Sequence, residues 1–294
     1  MRAALACHWP EYLLEAGGLG LFMLSACLFT TLIEHPASPV QQAIADPTLR
    51  RLPLGLAMGL TAIALIYSPL GQRSGAHLNP VVTATFFRLG KVAPWDAACY
   101  AVAQVAGGIV GVQVAALLLG ERLGHPAVGY VATVPGAGGA ALAFAAEGMI
   151  AFGLMLVVLT VSNTPRLARY TGLCAGALVA TYIVVEAPFS GMSMNPARTL
   201  ASTVPAGTWA VLWLYVAAPL LGMLLAAETY LRFIRPAGAI CAKLQHPHDA
   251  PCIFRCGYRA AAAPRGPTVT AAAGAETLPT VAVSPSLERK GSRA

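Results

Sequence analysis

Two copies of one short motif carry the residues best suited to chemistry. Ser-Gly-Ala-His-Leu-Asn-Pro-Val at 74–81 recurs as Ser-Gly-Met-Ser-Met-Asn-Pro-Ala at 190–197. Asn is a strong helix N-cap and Pro is favoured at the first helical position, so each Asn-Pro pair predicts a helix start. The Asn amide also donates hydrogen bonds to a passing oxygen. A single copy would mark only a helix start, whereas two copies in one frame indicate an internal repeat.

The helices that begin at the two motifs are too short to cross a membrane. Segments 79–89 and 195–204 give only a few turns at about 1.5 Å per residue. Re-entrant backbone is tolerated at membrane depth where it is buried in protein or lines a water-filled cavity. Two facing half-helices therefore predict a cavity where two positive dipole ends, each roughly +0.5 charge, repel cations and protons.

Side chains and carbonyls of both motifs are the candidate pore residues. We predict a central constriction at Asn79, Pro80, Val81, Asn195, Pro196 and Ala197. The extended stretches before each Asn leave carbonyls free to replace hydration along a pore. Those carbonyls lie around Gly75, Ala76, His77, Gly191, Met192 and Ser193.

Composition places these motifs in a membrane protein. The chain has 294 residues, of which 57% are hydrophobic and only 11% are charged, so an ordinary soluble domain is excluded. Apolar blocks long enough to span lie at 12–33, 52–70, 94–119, 140–161, 167–188 and 209–233. The first is too long, and too acidic at its start, for a cleaved signal peptide.

The six blocks form two related halves. With three spans in each half, the second half enters from the opposite side, which makes an inverted repeat. The predicted fold class is thus an all-α membrane protein with six transmembrane helices and two re-entrant half-helices. We expect a channel domain at 1–235, with repeats at about 8–120 and 138–235, and a cytoplasmic tail at 236–294.

Basic residues predict the orientation. The formal net charge is +7, but the pattern indicates membrane topology rather than a nucleic-acid partner, because Lys and Arg accumulate in cytoplasmic loops. With both termini inside, the inner basic residues are Arg73, Arg88, Lys91, Arg166, Arg169 and most of those in the tail. Arg50 and Arg51 oppose this assignment and are outnumbered.

At these motifs the sequence resembles the aquaporin, or major intrinsic protein, family, over about residues 8–235. That family has six spans, two Asn-Pro-Ala half-helices and an Arg three residues after the second Asn, here Arg198. The resemblance implies a passive channel for water or small neutral solutes, a homotetramer with one pore per protomer in a lipid bilayer, and no cofactor. We expect a bacterial inner membrane.

The resemblance also implies a selectivity filter with an unusual composition. Arg198 and Met192 belong to it, and Ile183 stands where water-selective members commonly have His. The filter residue contributed by the second span is Gly59 by spacing or Met58 by local pattern, and both alternatives remain open. Glycerol-conducting members usually carry Asp after the filter Arg, where this chain has Thr, so neither subclass fits.

One difference from the family lies inside the first motif. Val81 replaces the usual Ala, and its branched side chain would shift or narrow the point where the half-helices touch.

Three acidic residues deserve separate interpretation. Glu15 and Glu147 occupy equivalent places in the two halves and match the family's buried acids, which accept N–H bonds from the re-entrant loops. An intramembrane carboxylate is otherwise a candidate for proton relay, and we favour loop anchoring. Glu186 either charges the outer mouth or is a solvated helix end, and the latter is favoured.

The tail contains a cluster of thiols and imidazoles. Its members within sixteen residues are Cys241, His246, His248, Cys252 and Cys256, enough for a tetrahedral metal although the spacing is not a standard zinc pattern. Metal or redox regulation is one interpretation, and a reduced, unstructured segment is the favoured one. Residues 260–294 are expected to be disordered.

Three other classes compete with a passive pore. A secondary transporter also uses inverted repeats, but coupling needs ionisable groups, of which only Glu15, Glu147 and Arg198 are deep enough. A glycerol-type facilitator and a non-conducting member with the same fold stay open. No nucleotide loop or catalytic spacing occurs, so we predict neither an enzyme nor an essential cofactor.

Overall fold

A computed structural model describes residues 2–246 and 252–258. The expected disorder of 260–294, and His248 as a candidate ligand, lie outside this range. Within it the regular structure is entirely helical. The principal helices are α1 (Arg2–Glu34), α2 (Pro47–Tyr67), α3 (Pro80–Arg88), α4 (Pro94–Leu119), α5 (Gly139–Ser162), α6 (Thr171–Val185), α7 (Pro196–Ala206) and α8 (Leu212–Thr229).

Short helical turns connect or extend these helices. Four are α-helical: Pro39–Ala43, Pro69–Ser74, Glu121–Gly124 and Ala187–Ser190. Three are 3-10 turns at Gly129–Val131, Ala168–Tyr170 and Trp209–Val211, and a π turn covers Tyr230–Ile234. With these extensions, six helices are long and apolar enough to cross a membrane. The six predicted spans are therefore confirmed, and α3 and α7 are the two half-helices.

Local capping explains where the helix ends differ from the predicted ones. Helix α2 begins at Pro47 rather than at 52, because the Asp46 carboxylate accepts a 2.7 Å bond from Thr48 N and Pro suits the first turn. It ends at Tyr67 rather than at 70, because Ser68 caps the following short helix by accepting from Gly71 N.

The two halves pack in the same way. Helix α1 lies along α4 and α5 lies along α8, while α2 and α6 pair between the halves. Glycines permit the close approach, since a Cβ on Gly111 would lie 2.3 Å from the Gly20 carbonyl oxygen and one on Gly222 would lie 2.2 Å from that of Gly148. Small residues at helix crossings are the usual device of membrane bundles.

The bundle has one end with most of the basic connections, here called the basic end. It holds the α2–α3, α3–α4 and α5–α6 connections, whose cations include Arg73, Lys91 and Arg166. Arg50 and Arg51, at the opposite end, are bound locally. Arg50 is buried and pairs with Glu34 at 2.9 Å, and Arg51 donates to the Val184 carbonyl.

Candidate pore

Each half-helix begins at the Asn of its motif. Asn79 Oδ1 accepts from Val81 N at 2.9 Å, and Asn195 Oδ1 accepts from Ala197 N at 3.1 Å and Arg198 N at 3.3 Å. Both Asn residues are extended and both are followed by Pro. The predicted Asn-Pro caps therefore form as the chain leaves each re-entrant loop.

The same two amides connect the loops to one another. Asn79 Nδ2 donates to the Met194 carbonyl at 2.8 Å, and Asn195 Nδ2 donates to the Leu78 carbonyl at 2.7 Å. An amide nitrogen carries two N–H groups, so these reciprocal bonds use one from each side chain. The second N–H of each amide stays available to a molecule in the cavity that both residues line.

Glu15 anchors the first loop from α1. Its carboxylate accepts from Ser74 Oγ at 2.7 Å, His77 N at 3.0 Å and Leu78 N at 2.6 Å. Gln104 on α4 donates to the same carboxylate at 2.7 Å. All of its bonding therefore goes to structural partners.

Glu147 makes the matching bonds in the second half. It accepts from Ser190 Oγ, Ser193 N and Met194 N, each at 2.7 Å. Both carboxylates are fully buried, and neither is among the cavity-lining residues. This geometry matches loop anchoring and leaves no free carboxylate oxygen facing the cavity.

Two tyrosines complete the anchors, and the repeated motif does not predict them. Tyr100 OH donates to the Ser74 carbonyl at 2.6 Å, and Tyr215 OH donates to the Ser190 carbonyl at 2.5 Å. They lie on α4 and α8, the third spans of the two halves. A comparison of the third spans of the two halves was the signal in the sequence that could have identified these two tyrosines.

The anchors hold backbone that is strained. Ala76, Leu78, Met192 and Met194 all have φ between 48° and 55°, where an ordinary L-residue costs about 1–2 kcal/mol. The alternation turns successive carbonyls and N–H groups to opposite sides of each loop. Hydrogen bonds to the two buried carboxylates offset that cost.

A cavity of about 300 Å³ runs past both half-helix starts. Its walls come from both loops and from α1, α2, α5 and α6. The predicted site residues that line it are Met58, Ala76, His77, Asn79, Ile183, Gly191, Met192, Ser193, Asn195 and Arg198. The other predicted constriction residues, Pro80, Val81, Pro196 and Ala197, are not part of that lining.

Val81 therefore does not lie at the expected place, the pore constriction. It is buried at 4% exposure in the core and is not a lining residue, whereas Val82 is. The branched side chain packs among helices instead of occupying the point where the two amides face the cavity.

The α2 register separates the two filter candidates on that helix. Met58 lies in a lining stripe with Leu54, Ala62 and Ile66, which follows the four-residue spacing of one helix face. Gly59 faces α6 instead, since a Cβ there would lie 2.6 Å from the Gly176 carbonyl oxygen. Gly59 thus supports helix packing.

Arg198 supplies the cationic wall of the cavity. Its Nη1 is buried and has no hydrogen-bond partner within the described residues. Thr199, the next residue, bonds instead to the Thr133 hydroxyl at 3.0 Å and to Ser193. Arg198 as a residue lines the cavity, whereas its Nη1 is enclosed by the surrounding protein.

The basic end of the cavity is bounded by the tail. Leu244 lines the cavity, and its N–H donates to the Gly75 carbonyl at 3.1 Å. Gly75 was expected to contribute a pore carbonyl, but its oxygen is occupied by this bond and the residue lies outside the lining. No sequence pattern predicted that the tail would reach the cavity.

Glu186 is neither solvated nor part of the cavity wall. It lies one residue beyond α6, is 6% exposed, and is not a lining residue. The neighbouring Ser190 hydroxyl donates its single proton to Glu147, so neither Glu186 oxygen has a hydrogen-bond partner in the described chain. Burial, with the nearby Glu147 charge, raises the pKa of Glu186 to about 7.

Comparison with known proteins agrees with this architecture. Residues 9–230 match the family model described as major intrinsic protein. The chain belongs to that family. A similar fold occurs in the aquaglyceroporin from Plasmodium falciparum, with a TM-score of 0.64 and 21% identity over 78% of this chain and 98% of that one.

The curated relatives include plant aquaporins. Aquaporin NIP1-3 of Oryza sativa subsp. japonica is 37% identical over 174 residues, which cover 58% of this chain and 58% of the relative. Aquaporin NIP6-1 of Arabidopsis thaliana is 36% identical over 170 residues, covering 58% and 54%. The chain thus spans less than two thirds of their length. Their plant origin gives no support to the expected bacterial inner membrane, whereas a multi-pass membrane protein is supported.

Proposed function

We propose that this major intrinsic protein is a passive channel for water and small neutral solutes that excludes ions and protons. The observation that carries the proposal is the meeting of two half-helix starts at Asn79 and Asn195 beside one cavity. Each amide keeps one N–H for a passing oxygen, and the two dipole ends oppose cations.

The composition of the outer wall favours solutes beyond water. Met58, Ile183 and Met192 are apolar and lie in the same cavity as Arg198. An apolar wall contacts the carbon side of a polyol while the guanidinium binds its hydroxyl oxygens. Glycerol-type conduction is therefore the second candidate function, although the family's usual Asp after the filter Arg is Thr199 here.

The cavity lining favours a pore over a coupled carrier. Coupling needs ionisable or ion-coordinating groups at the substrate site. The ionisable side chains along the cavity are His77 and Arg198, and both nitrogens of the His77 ring already bond, to Thr83 Oγ1 at 2.9 Å and to the Ala242 carbonyl at 2.8 Å. No titratable carboxylate faces the lumen in the described residues.

Orientation and assembly belong to the same proposal. The basic end faces the cytoplasm, which puts both termini inside. Arg50 pairs locally with Glu34, which weakens the main argument from charge against this orientation. The assembly is a homotetramer with one pore in each protomer, as the family resemblance implies.

Stopped-flow light scattering on proteoliposomes tests the proposal. Vesicles are shrunk with an impermeant osmolyte and then with glycerol, for the wild type, Arg198→Val and the exposed-loop control Arg166→Val. We expect fast shrinkage with the wild type and faster glycerol re-swelling with Arg198→Val, whereas Arg166→Val behaves as wild type. Wild-type permeability equal to that of protein-free vesicles would favour a non-conducting protein.

A further inference from the structure

The chain after α8 folds over the basic end of the cavity. The two described segments there, residues 240–246 and 252–258, are here called the cap. Leu244 N donates to the Gly75 carbonyl at 3.1 Å, and Lys243 Nζ donates to the Gln72 carbonyl at 2.7 Å. These bonds join the cap to the first re-entrant loop and to the short helix before it.

Its second segment is held by ring stacking and by a bond to the other half. Phe254 is buried and stacks on the His77 ring, with centroids 5.3 Å apart and planes at 12°. Tyr258 OH donates to the Ser162 carbonyl at the end of α5, at 2.9 Å. The cap therefore bridges the two halves at the mouth of the cavity.

Four side chains of metal-ligand type converge inside the cap. The ligand atoms of Cys241, His246, Cys252 and Cys256 all lie within 4.8 Å of one another. Cys241 Sγ and Cys252 Sγ are 3.7 Å apart, and Cys256 Sγ lies 3.1 Å from His246 Nε2. With Zn–S bonds of about 2.3 Å, tetrahedral geometry puts two sulfurs roughly 3.8 Å apart. Cys241 and Cys252 are thus at the sulfur spacing of a zinc site, and none of the three thiols is disulfide-bonded.

Backbone bonds fix the cluster from outside. The buried Asn163 side chain accepts from Ile240 N at 2.5 Å and from Cys241 N at 3.1 Å. Gly257 N donates to the Ile240 carbonyl at 2.8 Å, which ties the second segment to the first. Such outer contacts orient metal ligands.

We propose that Cys241, His246, Cys252 and Cys256 bind one Zn²⁺ and that this ion holds the cap across the mouth, where Leu244 narrows the cavity. Three thiolates outweigh the ion's charge by one. The buried Lys243 lies within electrostatic range of all three sulfurs and offsets the excess. The proposed cytoplasmic orientation keeps the thiols reduced and available to metal.

Metal content of the full-length protein tests the first part. The protein is purified under reducing conditions with an affinity tag that contains no histidine, and zinc per protomer is measured by mass spectrometry. We expect one zinc in the wild type and in the control Cys7→Ser/Cys174→Ser, whose thiols lie outside the cluster, and loss of zinc in Cys252→Ser/Cys256→Ser. Equal zinc in both double variants, or a Cys241–Cys252 disulfide without metal in the wild type, would overturn the site.

Water permeability of proteoliposomes tests the second part. Removing zinc from the wild type with a membrane-permeant chelator is expected to raise permeability and to have no effect on Cys252→Ser/Cys256→Ser. Leu244→Ala is expected to raise permeability while it keeps its zinc, because it widens the mouth and leaves the ligands intact. Unchanged permeability in the chelated wild type would overturn the role of the ion in closing the mouth, even with zinc bound at the cluster.

Discussion

The two re-entrant loops share one support and carry different side chains. Their matched supports are Glu15 with Glu147, Ser74 with Ser190, and Tyr100 with Tyr215. Both loops also have the same alternation of left-handed residues. Where the loops face the cavity or its ends, the side chains differ, so the two halves share a backbone scaffold but not the side chains that line the cavity.

Two pairs of positions show the difference. Three residues after each motif Asn, the first half has Val82 and the second has Arg198, and both line the cavity. Two residues before each Asn, the first half has His77, which bonds to the cap, and the second has Ser193. In the proposed channel, the end with Arg198 is therefore the one that discriminates between solutes, whereas the other end receives the tail.

Removing the shared support is expected to have the largest effect. Glu15→Ala and Glu147→Ala each leave two loop N–H groups and one serine hydroxyl without an acceptor. At about 1–3 kcal/mol for each unsatisfied buried donor, each change costs at least about 3 kcal/mol of unfolding free energy. Denaturant titration in detergent, with Glu228→Ala as a control, measures the loss.

Similar losses in the two halves are the expected sign of a common scaffold. Glu15→Ala also frees Gln104, so its loss is the larger of the two. Glu228 is half exposed and pairs with Arg88 at the surface, where ion pairs contribute little. A stable Glu147→Ala protein beside an unfolded Glu15→Ala protein would show that the second loop does not depend on its carboxylate.

Substitution of Ile183, which lines the same cavity as Arg198, tests the end where the two halves differ. Its expected effect is smaller. Ile183→His adds a polar group to a wall that is apolar at Met58, Ile183 and Met192. We expect the ratio of glycerol to water permeability to fall, because the polyol's carbon face loses apolar contact. Stopped-flow measurements on Ile183→His and on the exposed control Val185→His, two residues further along the chain, give the ratio for each.

An unchanged ratio in Ile183→His would indicate that solute choice is made elsewhere along the cavity. A fall of equal size in Val185→His would point to a general effect of a histidine near the end of α6, since the Val185 side chain is 56% exposed.

The structural features that the sequence predicts are those whose sequence patterns occur in both halves. The Asn-Pro caps, the six spans and the paired carboxylates follow from patterns that occur twice, and the structure has each of them. The tail contacts occur once, between Leu244 and Gly75 and between Phe254 and His77, and no periodicity relates residues so far apart. The choice between Met58 and Gly59 depended on a one-residue helix register, which only packing against α6 decides.

The smallest expected effect concerns Glu186, which corresponds to Leu70 when the two motifs are aligned. Because the folded-state pKa, about 7, lies above the ordinary value of 4.5, ionisation costs the folded protein more than the unfolded chain. The contribution of Glu186 to stability is therefore most favourable below pH 4.5 and declines as the pH rises to about 7. Glu186→Gln removes this dependence.

We expect thermal unfolding in detergent to show Glu186→Gln more stable than the wild type at about pH 8, with the gap shrinking toward about pH 5. Glu121→Gln, at an exposed position, should follow the wild type at both values. A gap of constant size across the range would mean that the substitution acts through packing, since the difference depends on pH only where the folded and unfolded proteins bind different numbers of protons at residue 186. Glu186 would then have the same pKa in the folded and in the unfolded protein, and its burial beyond the end of α6 would not disfavour its ionised form.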